Sequence, residues 1–455
     1  MATDKHAVVW TRVGSAPQKM GVLTVTDTQC RFTYDADFLG AGLPGLGILY
    51  APSFVGTTTI TWERSTYFNL LPQLQFHVPP AGEANFQRRL VLSYLEQQGR
   101  KPKPGFDSDW AILLTAGHGG IGHLDVFESD TKAQAWYADK ASPALIPISE
   151  RFGFSLKEFL AWMDQDAEAL LAALGPTPSV GGAIPKLLLS MPASGWDGRI
   201  GLPSRGVHEG RCDVVLKFEK EQYRGIVELE ALTLDVHAQA GFAVPRHWVT
   251  EINGIPAIAI ERFDRDANGR PLFMETAYAV MATGDARITH HYSSSYDAIG
   301  RAIDRSPIPL VSDPPAAKRA LLQRLLLAFI TGNGDLHMEN LSFLQREGQL
   351  VWSPVYDPTP MRAYSRHNML AVMPFGGYGD TDKAGNMISF AEALVQLAKG
   401  FSFTRATLRD MIEEMLSVTA DYAERVKALT TVPADNKMRL VQINKEMREK
   451  LTELG

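Results

Sequence analysis

The residues of this chain best suited to chemistry are Asp335, Asn340 and Asp357, set in the run Gly332-Asn333-Gly334-Asp335-Leu336-His337-Met338-Glu339-Asn340 and in Tyr356-Asp357. An Asp, an Asn five residues later and a further Asp beyond is the order in which phosphotransferases hold an attacking hydroxyl and magnesium. In that arrangement Asp335 is the catalytic base, Asn340 holds a metal ion, and Asp357 bridges the metals. A metal-loaded triphosphate is strongly negative, so carboxylates serve it only through hard cations, which take oxygen ligands. The same residue types also mark ordinary turns, because Asp, Asn and Gly tolerate left-handed backbone. Companions upstream, in the order such an enzyme needs, favour the catalytic reading.

Those companions start in Ser179-Val180-Gly181-Gly182-Ala183-Ile184-Pro185-Lys186. Gly181 and Gly182 would let backbone amides approach phosphate oxygens where a side chain would clash. Lys217 lies in an otherwise apolar strand expected at 213–218, where an unpaired ammonium is costly and a phosphate is a fitting counter-ion. An edge-strand lysine turned to water is the alternative. Glu230, in a helix expected over 227–240, is preferred to Glu228 on spacing as the acid that positions the lysine. His337 has no partner at zinc spacing and reads as orienting the loop or touching phosphate. His290 and His291 read as solvated loop residues. The cluster Gly117-His118-Gly119-Gly120-Ile121-Gly122 lacks the ending of a true phosphate loop.

The elements that must hold these residues follow from pattern. At 455 residues the chain should divide into two or three units. Short β-like runs at 22–25, 31–34 and 57–62 predict a largely β unit over 1–128, with a helix over 85–98. Helical spacing over 155–174 ends at Gly175-Pro176. A small lobe is expected over 129–265, closing on an apolar strand at 258–265 that runs into charge, and a helical lobe over 266–455. Residues 321–330 read as a buried amphipathic helix leading into the catalytic loop. A net charge of −6 does not suit a protein that grips nucleic acid directly. Cys30 and Cys212 lack metal-ligand spacing and are expected to be buried, reduced thiols. Neither a secretory start nor a run of roughly 18 apolar residues is present, so a cytoplasmic protein without a membrane role is expected.

With these residues assembled, the chain resembles the HipA family of bacterial serine/threonine kinase toxins over nearly its whole length. Val9-Trp10, Phe32-Thr33-Tyr34-Asp35 and Phe68-Asn69-Leu70-Leu71-Pro72 are similar to the family's extra N-terminal subdomain, and residues 179–186 to its glycine-rich loop. Ile260-Glu261-Arg262-Phe263-Asp264-Arg265 resembles its hinge segment. The resemblance implies an α+β, two-lobed protein-kinase-like fold with a β-rich N-terminal subdomain and a mainly helical C-terminal lobe. It also implies ATP and Mg2+ as cofactors and phosphorylation of a protein serine, with an aminoacyl-tRNA synthetase as the substrate class. Carried over by position, Val180, Gly181, Gly182 and Lys217 would hold phosphates. Glu261 and Phe263 would offer backbone groups to adenine, Asp264 would lie near the ribose, and His337 and Tyr356 near the nucleotide. Ser179 matches a serine that family members autophosphorylate. The implied partner is a helix-turn-helix antitoxin (HipB-like) encoded nearby, with DNA reached only through it. Two departures from the family stand out: Glu339, where many members carry a basic residue, and residues 289–300. Alternatives are a small-molecule phosphotransferase and a kinase fold whose chemistry has decayed.

Overall fold

Strict alternation along Gln29–Tyr34, with Cys30, Phe32 and Tyr34 buried and Arg31 and Thr33 exposed, marks an antiparallel strand with one face on a core. In the computed structural model, which describes residues 4–14, 16–81, 85–139, 144–147, 184–201, 203, 209–252 and 254–454, this strand lies in a five-stranded antiparallel sheet. Its order is Thr59–Glu63, Gln29–Tyr34, Gln18–Val25, Lys5–Thr11, Leu124–Phe127. Val9, Leu23 and Phe32 from the sheet share one core with Leu95, Trp110 and Leu113 from the helices Phe86–Gln97 and Phe106–Ala116. The first of these helices starts where Asn85 accepts a hydrogen bond from the Arg88 amide, an N-cap.

A second antiparallel sheet runs His247–Ile252, Ile255–Glu261, Arg211–Phe218, Lys186–Pro192. Leu187, Leu189, Met191, Val214, Leu216, Phe218, Ala257 and Ala259 share one core. Side chains alternate across a strand, so the intervening residues Lys186, Lys217 and Ile258 look out of the opposite face.

Residues Met1–Glu219 with Arg246–Glu275 form one compact unit, and Lys220–Pro245 with Thr276–Gly455 form the other. The chain therefore divides away from the boundaries expected at 128 and 265. Both sheets fall in the first unit, and the helix Ile226–Gln239, expected in a small lobe, belongs with the helical unit. Its ties explain this: the Glu228 carboxylate accepts from the Thr430 and Thr431 amides, and Arg425 donates to Gln239. The helix expected over 155–174 lies outside the described residues.

The second unit is helical apart from the hairpin Ser342–Arg346/Gln349–Trp352. Its long buried helix, Pro314–Thr331, begins with an Asp313 cap and Pro314 at the first turn, and ends at Gly332 with φ 77°. Of the two free thiols, Cys30 is buried, while Cys212 near the start of its strand is only half-buried, contrary to expectation. Burial pushes the thiols up to about 12 and about 11 respectively, where neither is a ready nucleophile. Among the described residues no helix is long and apolar enough to cross a membrane.

Candidate active site

The end of the Pro314–Thr331 helix is held from outside, which is what aims the loop beyond it. Carbonyls in a last helical turn lack partners within the helix. Here Asn444 Nδ2 donates to the Ile330 carbonyl at 3.1 Å and the Tyr422 hydroxyl to the Thr331 carbonyl at 2.9 Å. Gly332 turns the chain, Asn333 Oδ1 accepts from the Asp335 amide at 2.8 Å, and Asn340 Nδ2 donates to the Asp335 carbonyl at 3.0 Å. With its nitrogen spent on the loop, the Asn340 amide keeps an oxygen to offer a cation. His337 caps the short turn Met338–Asn340, its Nδ1 accepting from the Glu339 amide at 3.2 Å.

Gly334 has φ 64°, and a Cβ there would meet Arg362 Cγ at 2.7 Å and the Met369 carbonyl oxygen at 2.8 Å. Gly334→Ala is expected to cost about 2–4 kcal/mol, from left-handed backbone plus overlap, measured by urea unfolding of the purified protein. A cost below about 0.5 kcal/mol would show that this turn is not held as described.

Asp335 is half-buried. Burial raises its carboxyl from 3.8 to about 6, the Tyr292 hydroxyl, which donates to Oδ1 at 3.4 Å, works against the rise, and the charge of Asp357 adds to it. Asp357 itself has φ 50°, rare for a residue with a side chain and of the kind that persists at working sites. Beside it the Tyr356 hydroxyl is shared between Ser342 Oγ, at 2.7 Å, and the Glu339 carbonyl, tying the strand side of the site to the loop. Beneath lies Arg324, 3% exposed, which donates to the Asn340 carbonyl at 3.0 Å. Burial lowers its guanidinium to about 10.

In the first unit, Lys217 is no edge lysine. Its strand is interior to the second sheet, and the side chain is 5% exposed. Directly opposite it stands Lys186, 9% exposed. The two lysines therefore lie side by side on one face of the sheet. Glu261 ends its strand with its amide donating to the Arg246 carbonyl and its carboxylate in a bidentate pair with Arg246. Phe263 is half-buried just beyond.

Asp264 occupies a different kind of place. At 3% exposed, it accepts from Arg262 through both oxygens, from Arg265 at 3.1 Å and from the Gly122 amide at 2.8 Å. The glycine cluster at 117–122 is thus committed to carboxylates of the protein itself, since the Gly119 amide likewise donates to Asp125. Glu230 is 2% exposed on the helix Ile226–Gln239, whereas Glu228 is occupied by Thr430 and Thr431. Ser179, Val180, Gly181 and Gly182 lie outside the described residues.

Sequence reasoning passed over three features. Lys186 opens a strand that is buried throughout, and a lysine bounding so apolar a run was the signal available. Arg324, inside an apolar helix, offered the same kind of signal. The third is His291, read as solvated. Its ring centroid stands 4.4 Å from that of His337 and its Nδ1 3.2 Å from Glu339 Oε2, so His337 does have ligand-type neighbours. No local spacing announces them.

Comparison with known proteins agrees with this architecture. A "Putative kinase" of Haemophilus influenzae is 24% identical over 261 residues, covering 55% of this chain and 66% of that protein. "Putative kinase Y4dM" of Sinorhizobium fredii is 24% identical over 230 residues, covering 47% and 51%. The chain thus spans less than two thirds of the length of these relatives. The fold is similar to HipA in the Shewanella oneidensis toxin–antitoxin complex of HipA, HipB and operator DNA, with TM-score 0.61, 17% identity and coverage of 98% of this chain and 97% of that one. The model of the HipA-like C-terminal domain matches residues 178–422, more than half of the sequence and the part that carries Lys217, Asp335, Asn340 and Asp357, and the chain belongs to that family.

Proposed function

We propose that this protein is an ATP- and Mg2+-dependent serine/threonine protein kinase acting as the toxin of a toxin–antitoxin pair. The observation that carries the reading is the meeting of Asp335, Asn340 and the charge of Asp357 on one loop cluster. Two carboxylates, one of them raised mainly by burial and further by the charge of the other, with the side-chain oxygen of Asn340, make a hard oxygen donor set that suits Mg2+. Bound there, the ion would neutralise charge developing on the transferring phosphoryl group.

The protein's own residues do the rest. Asp335 orients the attacking hydroxyl and takes its proton; a carboxyl near 6 is ionised at neutral pH yet still basic enough to help. Asn340 and Asp357 hold the cation, while Arg324 and Tyr356 keep the loop in place. Lys217, with Lys186 facing it, takes phosphate charge. Val180, Gly181 and Gly182 supply amides, Glu261 and Phe263 present backbone to adenine, and His337 and Tyr356 line the nucleotide. Asp264 serves by anchoring the 119–122 turn to the hinge segment. Ser179 is the proposed site of inactivating autophosphorylation.

The substrate proposed is an aminoacyl-tRNA synthetase, and the partner a HipB-like antitoxin, since the Shewanella HipA was solved with HipB and operator DNA. Transfer of labelled γ-phosphate from ATP to proteins of a bacterial lysate tests the reading. A discrete labelled band with wild type, absent with Asp335→Ala, is expected. ATP binding without transfer to any protein would replace this reading by a small-molecule phosphotransferase or a decayed kinase.

Lys217→Ala is expected to lower kcat/KM for ATP about 10- to 100-fold, the 1.5–3 kcal/mol of a hydrogen bond to a charged group, and Lys186→Ala to lower it less. Initial rates across ATP concentration check both, and unchanged kinetics in both variants would remove this face of the sheet from nucleotide binding.

A further inference from the structure

Three side chains of the helical unit converge with donor chemistry that magnesium does not select. One ligand atom from each of His291, His337 and Glu339 lies within 4.8 Å of the other two. We propose that His291, His337 and Glu339 form a binding site for a zinc-class transition-metal dication, and that the bound ion latches the 289–295 loop over Asp335.

Two imidazole nitrogens and one carboxylate oxygen make a borderline-soft set that favours zinc over magnesium, and three protein ligands leave a fourth position for water. In a tetrahedral shell with bonds near 2.0–2.1 Å, ligand atoms stand roughly 3.3 Å apart. His291 Nδ1 and Glu339 Oε2 are already at 3.2 Å. The remaining closure falls within reach of side-chain rotation, because Glu339 and His291 are only half-buried. Coordination through His337 Nδ1 would give up the 3.2 Å bond from the Glu339 amide, a cost of about 1 kcal/mol, whereas coordination through Nε2 would keep it.

The backbone holds the ligands near this arrangement. The Met338 amide donates to the His291 carbonyl at 3.4 Å, and the Tyr296 hydroxyl to the Leu336 carbonyl at 2.6 Å. Tyr292 packs its ring on both imidazoles, with centroids 4.0 Å from His291 and 5.3 Å from His337. Its hydroxyl then reaches Asp335 Oδ1. An ion that fixes His291 therefore fixes Tyr292 on the oxygen proposed to accept a substrate proton. The glutamate at 339 brings negative charge to the two imidazoles and attracts a cation to them.

Metal binding is independent of the kinase reading; its effect on catalysis rests on that reading. The test uses the full chain without a metal-binding tag, stripped by chelator. Zn2+ is titrated by calorimetry, Co2+ by visible absorption, and hydrogen exchange is followed over 289–295. One ion per chain is expected. Outer-shell partners of bound metals are worth about 10- to 100-fold in affinity, so His291→Ala and Glu339→Gln, which remove ligands, should each weaken binding at least about 100-fold, while His290→Ala leaves it unchanged. Zn2+ should slow exchange over 289–295 in wild type and not in His291→Ala. Absence of binding, equal affinity in wild type and both ligand variants, or binding without slowed exchange would overturn the proposal. If His291→Ala fails to melt cooperatively, Glu339→Gln decides. Zn2+ inhibition of phosphoryl transfer in wild type and its loss in His291→Ala extend the result to catalysis; absence of transfer in every variant strikes the kinase reading and leaves the metal result standing.

Discussion

Asp335→Asn should lower phosphoryl transfer by about 10²- to 10⁴-fold, the range a general base contributes, and at the same time make the protein more stable. The two effects have one cause. Burial, with help from Asp357, raises the Asp335 carboxyl from 3.8 to about 6 in the folded protein. A raised carboxyl means that the ionised form is disfavoured by the fold. Above about pH 6 the folded protein bears that penalty, and below about pH 4, where the acid is protonated in both states, it does not. A rise of this size corresponds to at most about 3 kcal/mol, reduced by the solvent that still reaches this half-buried group. The asparagine variant should therefore melt a few degrees higher at pH 7.5 and at the same temperature as wild type near pH 4. Activity and melting are measured on the same preparations. Retained transfer would remove Asp335 as the base, and a lower melting temperature at pH 7.5 would refute the electrostatic account. The rate of the wild type should fall as pH drops through the Asp335 carboxyl, with the inflection moved below 6 by a cation held at Asn340 and Asp357.

The largest loss of stability is expected at Asp264. Arg262, Asp264 and Arg265 form a buried triad in which both oxygens of the acid are occupied. Burial alone would raise this carboxyl, but the charges of Arg262 and Arg265, the Arg262 hydrogen bonds and the Gly122 amide outweigh it and hold the acid well below the usual carboxylate range. Asp264→Ala leaves two guanidinium groups buried without their common partner, which costs about 3–5 kcal/mol. Urea unfolding at pH 7 reads this directly; a loss below about 1 kcal/mol would show that water or a rearranged loop solvates the arginines. The triple replacement Arg262→Met, Asp264→Leu, Arg265→Met should recover most of the loss, because a packed apolar trio can match a buried ionic one. The contribution of Asp264 is complete above about pH 4 and is lost only as the solution becomes strongly acidic, since the folded carboxyl is depressed relative to the unfolded one.

Local elements were legible because they are written in periodicity and backbone geometry. The β-like run at 31–34 marked the strand Gln29–Tyr34, helical spacing marked Ile226–Gln239 to within a residue at each end, and the apolar run at 321–330 marked the last turns of the Pro314–Thr331 helix that leads into the loop. The domain boundaries were harder. A helix declares its own ends but not its neighbours, and it is the bonds of Glu228 with Thr430 and Thr431 and of Gln239 with Arg425 that place it with residues about two hundred positions later. By itself the sequence determined the α+β class, the order Asp335, Asn340, Asp357 and the resemblance built on them, since residue type and spacing along the chain carry that information directly. Tertiary structure alone decided that Lys186 faces Lys217, that Asp264 is joined to Gly122 across 142 residues, and that His291 meets His337 and Glu339. Each of these depends on strand register or loop packing between distant segments, and a pattern read within a window of neighbours holds no term for either.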